Sequence, residues 1–216
     1  MSGFEVYNND GKILIDSQNR ATMFNDLRTI GAVTDLGAFA VASPFGDGHT
    51  LGYPGVSFWS YYNGGQLRWA QLAAGRYAFP GADLYEANAG RMIRTSRAIG
   101  IQSGYLDVFD ASGSLVWSAA AAASMPRVVG FLDIPAGYDL QSNVFSVSLN
   151  FNPWILLNNC PGNAGGDGTA SGYSGLLLRW TGAQLQACYV SRNQRSWAQT
   201  FQSDGLRVPL VQFVGI

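Results

Sequence analysis

Along most of this chain, apolar and aromatic residues alternate with polar ones in short runs, and Gly, Asn, Asp and Ser separate the runs. Alternation with a period of two marks strands with one buried face, and this punctuation marks tight turns. Two runs, 174–180 and 184–190, flank Thr181-Gly182 and read as a hairpin. The run 144–151 places Val144, Ser146, Ser148 and Asn150 on one face and Phe145, Val147, Leu149 and Phe151 on the other. A further pair, 56–62 and 66–70, turns at Asn63-Gly64-Gly65. The run 208–213 reads as a last strand, and Pro209, which lacks an N–H, favours a sheet edge there. Helical periodicity is scarce. Only 118–124, rich in Ala, has helical propensity, and it is short.

One hairpin pattern occurs twice. Phe4-Glu5-Val6-Tyr7 enters, Asn8-Asn9-Asp10-Gly11 turns, and Lys12 to Asp16 returns. Later, Leu106-Asp107-Val108-Phe109 enters, Asp110-Ala111-Ser112-Gly113 turns, and Ser114 to Ser118 returns. The two align without gaps, Val6 on Val108, Tyr7 on Phe109 and Gly11 on Gly113. The fold class expected from these patterns is all-β: a β-sandwich, or two small β-sandwich lobes built from hairpins, with little helix. A division near 96–104 would give an N-terminal lobe, 1–100, and a C-terminal lobe, 101–216. A single continuous β domain is the alternative. Two stretches read as loops, 43–55 and the Gly-rich 158–172.

Composition narrows the function. Charged residues are 12% of the 216 and hydrophobic residues 47%, so the chain is neither disordered nor a solvated helix. The net charge of −1 leaves no basic excess for phosphate contacts, so nucleic acid is not an expected partner. No apolar run is long enough to span a bilayer, and the first residues carry no basic-then-apolar leader pattern. A soluble protein made in a cytoplasm is expected. So few charges leave apolar surface to be covered, which points to self-association or to other subunits.

The chain offers little catalytic chemistry. Cys160 and Cys188 have no metal-ligand spacing and read as free thiols, with a bridge left open. His49, the single histidine, lies in a Gly-rich stretch and reads as a polar turn residue. The 162–169 stretch lacks the Lys and the helix of a phosphate-binding loop. Asp47 and Asp167 sit in Gly-rich loops without a second carboxylate close by, so no metal and no cofactor is expected. No pair of acids stands out as a glycosidase couple, and no enzyme activity is expected. The aromatics are more suggestive. Trp59, Tyr61, Tyr62 and Trp69 cluster on one expected hairpin. They could pack a core or an interface, or stack on sugar rings. With the loop residues Asn159, Asn163 and Asp167, they form the candidate ligand-binding set. Trp154, Trp180 and Trp197 share the ambiguity between core and surface.

The opening Gly3-x-x-Val6-Tyr7-Asn8-x-x-Gly11-x-x-x-Ile15-Asp16 resembles the start of minor tail or tail-tip proteins of long-tailed bacteriophages. The resemblance covers the first 20–30 residues and carries no functional residue with it. It implies an all-β virion component at the tail end, oligomeric and sometimes in contact with the host. On phage tails of three- or six-fold symmetry a homotrimer is the natural form. The expected function is a structural virion protein of a tail tip or baseplate, with a part in host cell-surface attachment. Its partners would be itself, other tail proteins and a host glycan or receptor. It would reside in the virion tail, and in the host cytoplasm during assembly. A free lectin-like carbohydrate-binding module is the alternative, and a glycan hydrolase the third reading.

Overall fold

The computed structural model of the chain describes residues 5–7, 9, 11, 13–30, 35–41, 44–47, 49–54, 66–82, 84–166, 171–201 and 204–216. The strands are, in order, β1 (Glu5–Tyr7), β2 (Ile13–Asp16), β3 (Met23–Ile30), β4 (Asp35–Val41), β5 (His49–Pro54) and β6 (Gln66–Leu72). There follow β7 (Tyr77–Phe79), β8 (Leu84–Tyr85), β9 (Gly90–Ser96), β10 (Asp107–Phe109), β11 (Leu115–Ser118) and β12 (Arg127–Ile134). The last six are β13 (Phe145–Ser148), β14 (Trp154–Leu156), β15 (Gly162–Gly166), β16 (Ser171–Trp180), β17 (Gln184–Arg192) and β18 (Leu206–Gln212). Among the described residues, helix is confined to short 3-10 turns and one α-helical turn, α1 (Trp197–Phe201). The protein is all-β, with a sandwich-like arrangement of antiparallel sheets.

Two large sheets carry the structure. The first runs β12-β18-β14-β6-β9-β3. The second runs β13-β17-β16-β7-β8-β5-β4, with β15 also paired to β16. Strands from either side of residue 100 occur in both, so a boundary there separates no large sheet from the other. The central core joins them face to face: Leu132, Ile155, Val208 and Leu210 from the first meet Leu176, Leu178, Leu185 and Ala187 from the second. Alternation explains the choice of residues, since successive side chains of a strand point to opposite faces. Leu176, Leu178 and Trp180 point into the central core, and Tyr173 and Leu177 point to the outer side. Because the middle of β16 is buried on both faces, Leu176, Leu177 and Leu178 follow one another there as an apolar run.

The hairpin expected at 174–190 is β16–β17, in register from Tyr173 opposite Arg192 to Trp180 opposite Leu185. The alternating run around 145–148 is β13, with Phe145 and Val147 packed against the central core. The Ala-rich run is a 3-10 helix, Ala119–Ser124, whose first turn is capped by the Ser118 hydroxyl accepting from the Ala120 N–H. The 66–70 strand is present as β6, paired with β9 and β14, and its expected partner at 56–62 lies outside the described residues.

Three expectations need correction. The last strand, β18, is interior, between β12 and β14. β14 pairs with it only at Val211 and Leu210, so Pro209 has a strand partner on its β12 side alone, and its missing N–H costs no ladder bond toward β14. The stretch 43–55 is not all loop, since β5 occupies 49–54 and places the His49 backbone in a strand opposite Val41. The Gly-rich 158–172 stretch contains a strand, β15, paired with β16 from Gly162 opposite Gly175 to Gly166 opposite Ser171. Its first glycine, Gly162, serves close packing against Gly81 rather than turning. A Cβ on Gly81 would lie 2.3 Å from the Pro161 carbonyl carbon, and one on Gly162 would lie 2.6 Å from the Gly81 carbonyl carbon. Two backbones touch there, and only glycine admits the contact.

Candidate functional site

The twin hairpins are two-stranded sheets of their own, β1–β2 and β10–β11. Their registers coincide position by position. Glu5 faces Asp16, Val6 faces Ile15 and Tyr7 faces Ile13, while Asp107 faces Ser118, Val108 faces Trp117 and Phe109 faces Leu115. The register slips at the same step in both, after Val6 and after Val108. Gly11 and Gly113 take φ of +72° and +81° at equivalent turn positions. In the second turn the Asp110 Oδ1 accepts from the Ser112 and Ser114 N–H groups, both at 2.8 Å. These turn donors, the Ser112 hydroxyl foremost, hold the Asp110 carboxyl below its ordinary range.

Each hairpin turns one aromatic outward at the equivalent place: Tyr7 and Phe109 are both 52% exposed. Beside Phe109, Leu106 is 55% exposed and Tyr105 is as exposed as in an extended peptide, at 102%. Tyr105 is held at φ +64°, a left-handed conformation that a bulky residue rarely adopts. Its neighbours are pinned. The Asp107 carboxylate accepts from the Gly104 N–H at 3.0 Å and from the Ser103 hydroxyl. The Gly104 carbonyl accepts from the Ser118 hydroxyl at 3.1 Å, and the Leu106 carbonyl from the Ala119 N–H at 2.8 Å. With the Ser103 hydroxyl as the strongest of these contacts, the Asp107 carboxyl is held below its usual range. Beneath, the Ala21 N–H donates to the Val116 carbonyl, and Met23, Ala121, Met125 and Trp117 pack the hairpin onto the body. The result is an apolar knob, Tyr105-Leu106-Phe109, on a backbone fixed from both sides.

A second feature lies on the outer face of the larger sheet. There Tyr77, Phe79, Leu84, Tyr173, Leu177 and Cys188 form an apolar cluster with Phe45 packed against it. Two clefts open on either side of Pro44. One, about 390 Å³, is bordered by Gln141, Tyr173, Ser191 and Arg192. The other, about 350 Å³, is bordered by Phe45, Ser146, Arg179 and Gln186. Arg179 stands between two rings, 5.6 Å from the centre of Phe45 and 5.1 Å from that of Tyr77. One of its terminal nitrogens is 3.3 Å from the Asp47 carboxylate, which also accepts from the Tyr77 hydroxyl. In the first cleft, burial raises the Tyr173 phenol above its ordinary value, against the opposing pull of Arg192.

Of the residues expected to bind ligand, Trp69, Asn159 and Asn163 are described. Trp59, Tyr61, Tyr62 and Asp167 lie outside the described residues. Trp69 is 3% exposed: its ring packs edge-on against Phe213 and its indole N–H donates to the Thr95 hydroxyl at 3.1 Å. It offers no face to a ligand. Trp154, Trp180 and Trp197 are likewise buried. Asn159 is exposed at the end of a 3-10 turn, and Asn163 is exposed on β15, its side-chain amide donating to the Gln194 Oε1 at 3.5 Å. Neither borders the two clefts. The cleft residues that sequence reasoning missed had one visible signal. Arg179 and Gln186 occupy outward positions in the period-two pattern of β16 and β17, at the polar end of an otherwise apolar face. Among the described residues no three His, Cys, Asp or Glu side chains are grouped to hold a metal ion.

The architecture defines an all-β, sandwich-like protein with a separate two-stranded hairpin that carries exposed apolar side chains. Over residues 1–215 the chain matches the model of the family described as "Domain of unknown function (DUF8377)", and it belongs to that family. No curated protein and no solved structure matches it significantly.

Proposed function

We propose that this protein is a structural subunit of a bacteriophage tail tip or baseplate, assembled as a homotrimer and contributing to attachment at the host cell surface. The observation that carries the reading is the Tyr105-Leu106-Phe109 knob. Exposed apolar patches on a folded protein mark sites of association, and Tyr in particular is enriched in them. A segment already fixed in one conformation binds without the ordering cost a mobile loop would incur. The recurrence of the hairpin puts a second exposed aromatic, Tyr7, in the place of Phe109. The low charge and the resemblance of the first residues to tail proteins support the same reading.

A free lectin-like module is the second reading, favoured by the polar cleft beside Phe45. Immunogold electron microscopy of particles from cells that produce the protein separates the two. Label at one end of tailed particles is expected. Particles without label, with the protein confined to the soluble fraction, would overturn the virion assignment.

A further inference from the structure

We infer that the cleft bordered by Phe45, Ser146, Arg179 and Gln186 is a binding site for a neutral hexose unit of a surface polysaccharide. The inference rests on the attachment part of the proposed function and is independent of the assembly part.

The cleft floor is a row of polar side chains running across three strands. Ser146 of β13 is opposite Gln186 of β17, and Gln186 is opposite Arg179 of β16. Neighbouring strands lie about 4.8 Å apart, so the row spans about 10 Å. Parity puts all three side chains on the outer face of the sheet. The Gln186 amide and the Ser146 hydroxyl make no hydrogen bond to another described residue. Their donors and acceptors are therefore available to a ligand.

Arg179 and Asp47 supply the second element. The Arg179 guanidinium lines the cleft and can donate to a sugar hydroxyl, and Asp47, outside the lining but 3.3 Å from one of its terminal nitrogens, holds it in position. Both side chains remain partly exposed, Arg179 by 25% and Asp47 by 47%. Phe45 and Tyr77 hold the guanidinium in place by their ring faces, and its Nε is buried without a hydrogen-bond partner. The planar group is thus fixed before any ligand arrives, and less freedom is lost on binding. The third element is the half-buried Phe45 ring as an apolar wall, suited to the C–H face of a pyranose.

The charges decide the class of sugar. Arg179 is balanced by Asp47, so the cleft has no surplus positive charge with which to prefer a uronic acid or a phosphorylated sugar. Its volume of about 350 Å³ suits one ring rather than a folded oligosaccharide.

Saturation-transfer NMR on the full chain tests this, with the methyl glycosides of glucose, galactose and mannose and with glucuronic acid as the acidic probe. Transfer from at least one neutral hexoside is expected, with a Kd on the order of 1 mM, equivalent to about −4 kcal/mol. Gln186→Ala and Ser146→Ala, both on the solvent side of the sheet, should weaken it roughly tenfold with the thermal midpoint unchanged. Arg179→Lys, which keeps the charge and loses the planar fork, should abolish it. No transfer from any neutral hexoside, binding untouched by Gln186→Ala, or a preference for glucuronic acid would each overturn the assignment. Adsorption of the labelled protein to a panel of bacterial cells distinguishes the two levels. Adsorption without hexoside binding overturns the hexose assignment and leaves attachment standing. Hexoside binding without adsorption upholds the cleft and counts against attachment.

Discussion

Replacing Gly81 by Ala adds one methyl group, and the structure says where it would go. The new Cβ would lie 2.3 Å from the Pro161 carbonyl carbon and 2.4 Å from the Gly162 nitrogen, both backbone atoms that no rotamer change can move aside. Ordinary contact begins near 3.4 Å, so the two chains must separate by about an ångström. That shift strains the end of β15 where it pairs with β16, on a sheet packed to organic-crystal density. Overpacking of this kind costs about 1–3 kcal/mol. For a chain of this size each kcal/mol lowers the midpoint by about 2–4 °C, which gives a fall of about 2–12 °C. Gly100 is the control: it has open space around its Cβ and no left-handed φ. There the same methyl group should be neutral or slightly stabilising, by up to about 1 kcal/mol through the unfolded chain. Differential scanning calorimetry of both variants against the wild type measures the difference. Equal midpoints for Gly81→Ala and Gly100→Ala would refute the backbone contact and restore the reading of 158–172 as an open loop.

Three further outcomes are expected. The Arg94 guanidinium, and Arg28 beside it, hold the Asp26 carboxyl below its ordinary range, so the native state binds that proton less readily than the unfolded state. The stabilisation is present above the unfolded carboxylate range and is lost as pH falls through the depressed native value. The midpoint of Asp26→Asn should therefore fall less steeply than that of the wild type below about pH 4, and parallel curves would contradict this. Burial pushes the Cys188 thiol up to about 12 and raises that of Cys160 as well, and both are free. Ellman's reagent should label neither in the native protein at mildly alkaline pH and both in denaturant, and rapid native labelling would contradict their burial. Asp107→Ala should release the Gly104 N–H and the Ser103 hydroxyl, so amide hydrogen exchange over 103–107 should accelerate while the central core is unaffected. Unchanged exchange would show that the knob is held by other means.

The local elements were legible because local physics makes them. The β16–β17 hairpin and the twin hairpins are each written in an alternating run, a short turn and a second run, and the Val6/Val108 and Tyr7/Phe109 correspondence is repeated in the register and in its slip. Sheet order was not legible, because β14 and β18 meet β6 and β12 across long stretches of chain that no period reports. Gly162 looked like a turn residue because absence of a side chain serves both a turn and a backbone contact, and composition alone does not separate them. Trp69 shows the same limit from the other side. An aromatic on an alternating strand fits a core or an exposed platform equally well, and only its partners Thr95 and Phe213 decide. The cleft is assembled from residues near 45, 146, 179 and 186, and each is an unremarkable polar or aromatic residue until the sheet brings them into one row.

The central claim is association through the apolar knob, and multi-angle light scattering behind a sizing column tests it most directly. The wild-type protein should elute with a mass near three times 23.2 kDa. The doubly substituted Tyr105→Asp, Phe109→Asp protein should elute near 23.2 kDa and still unfold cooperatively, because both side chains lie outside the core, with a midpoint lowered only by the stabilisation that association had supplied. A wild-type protein that stays monomeric at every concentration, or an oligomer that survives both substitutions, would contradict the account.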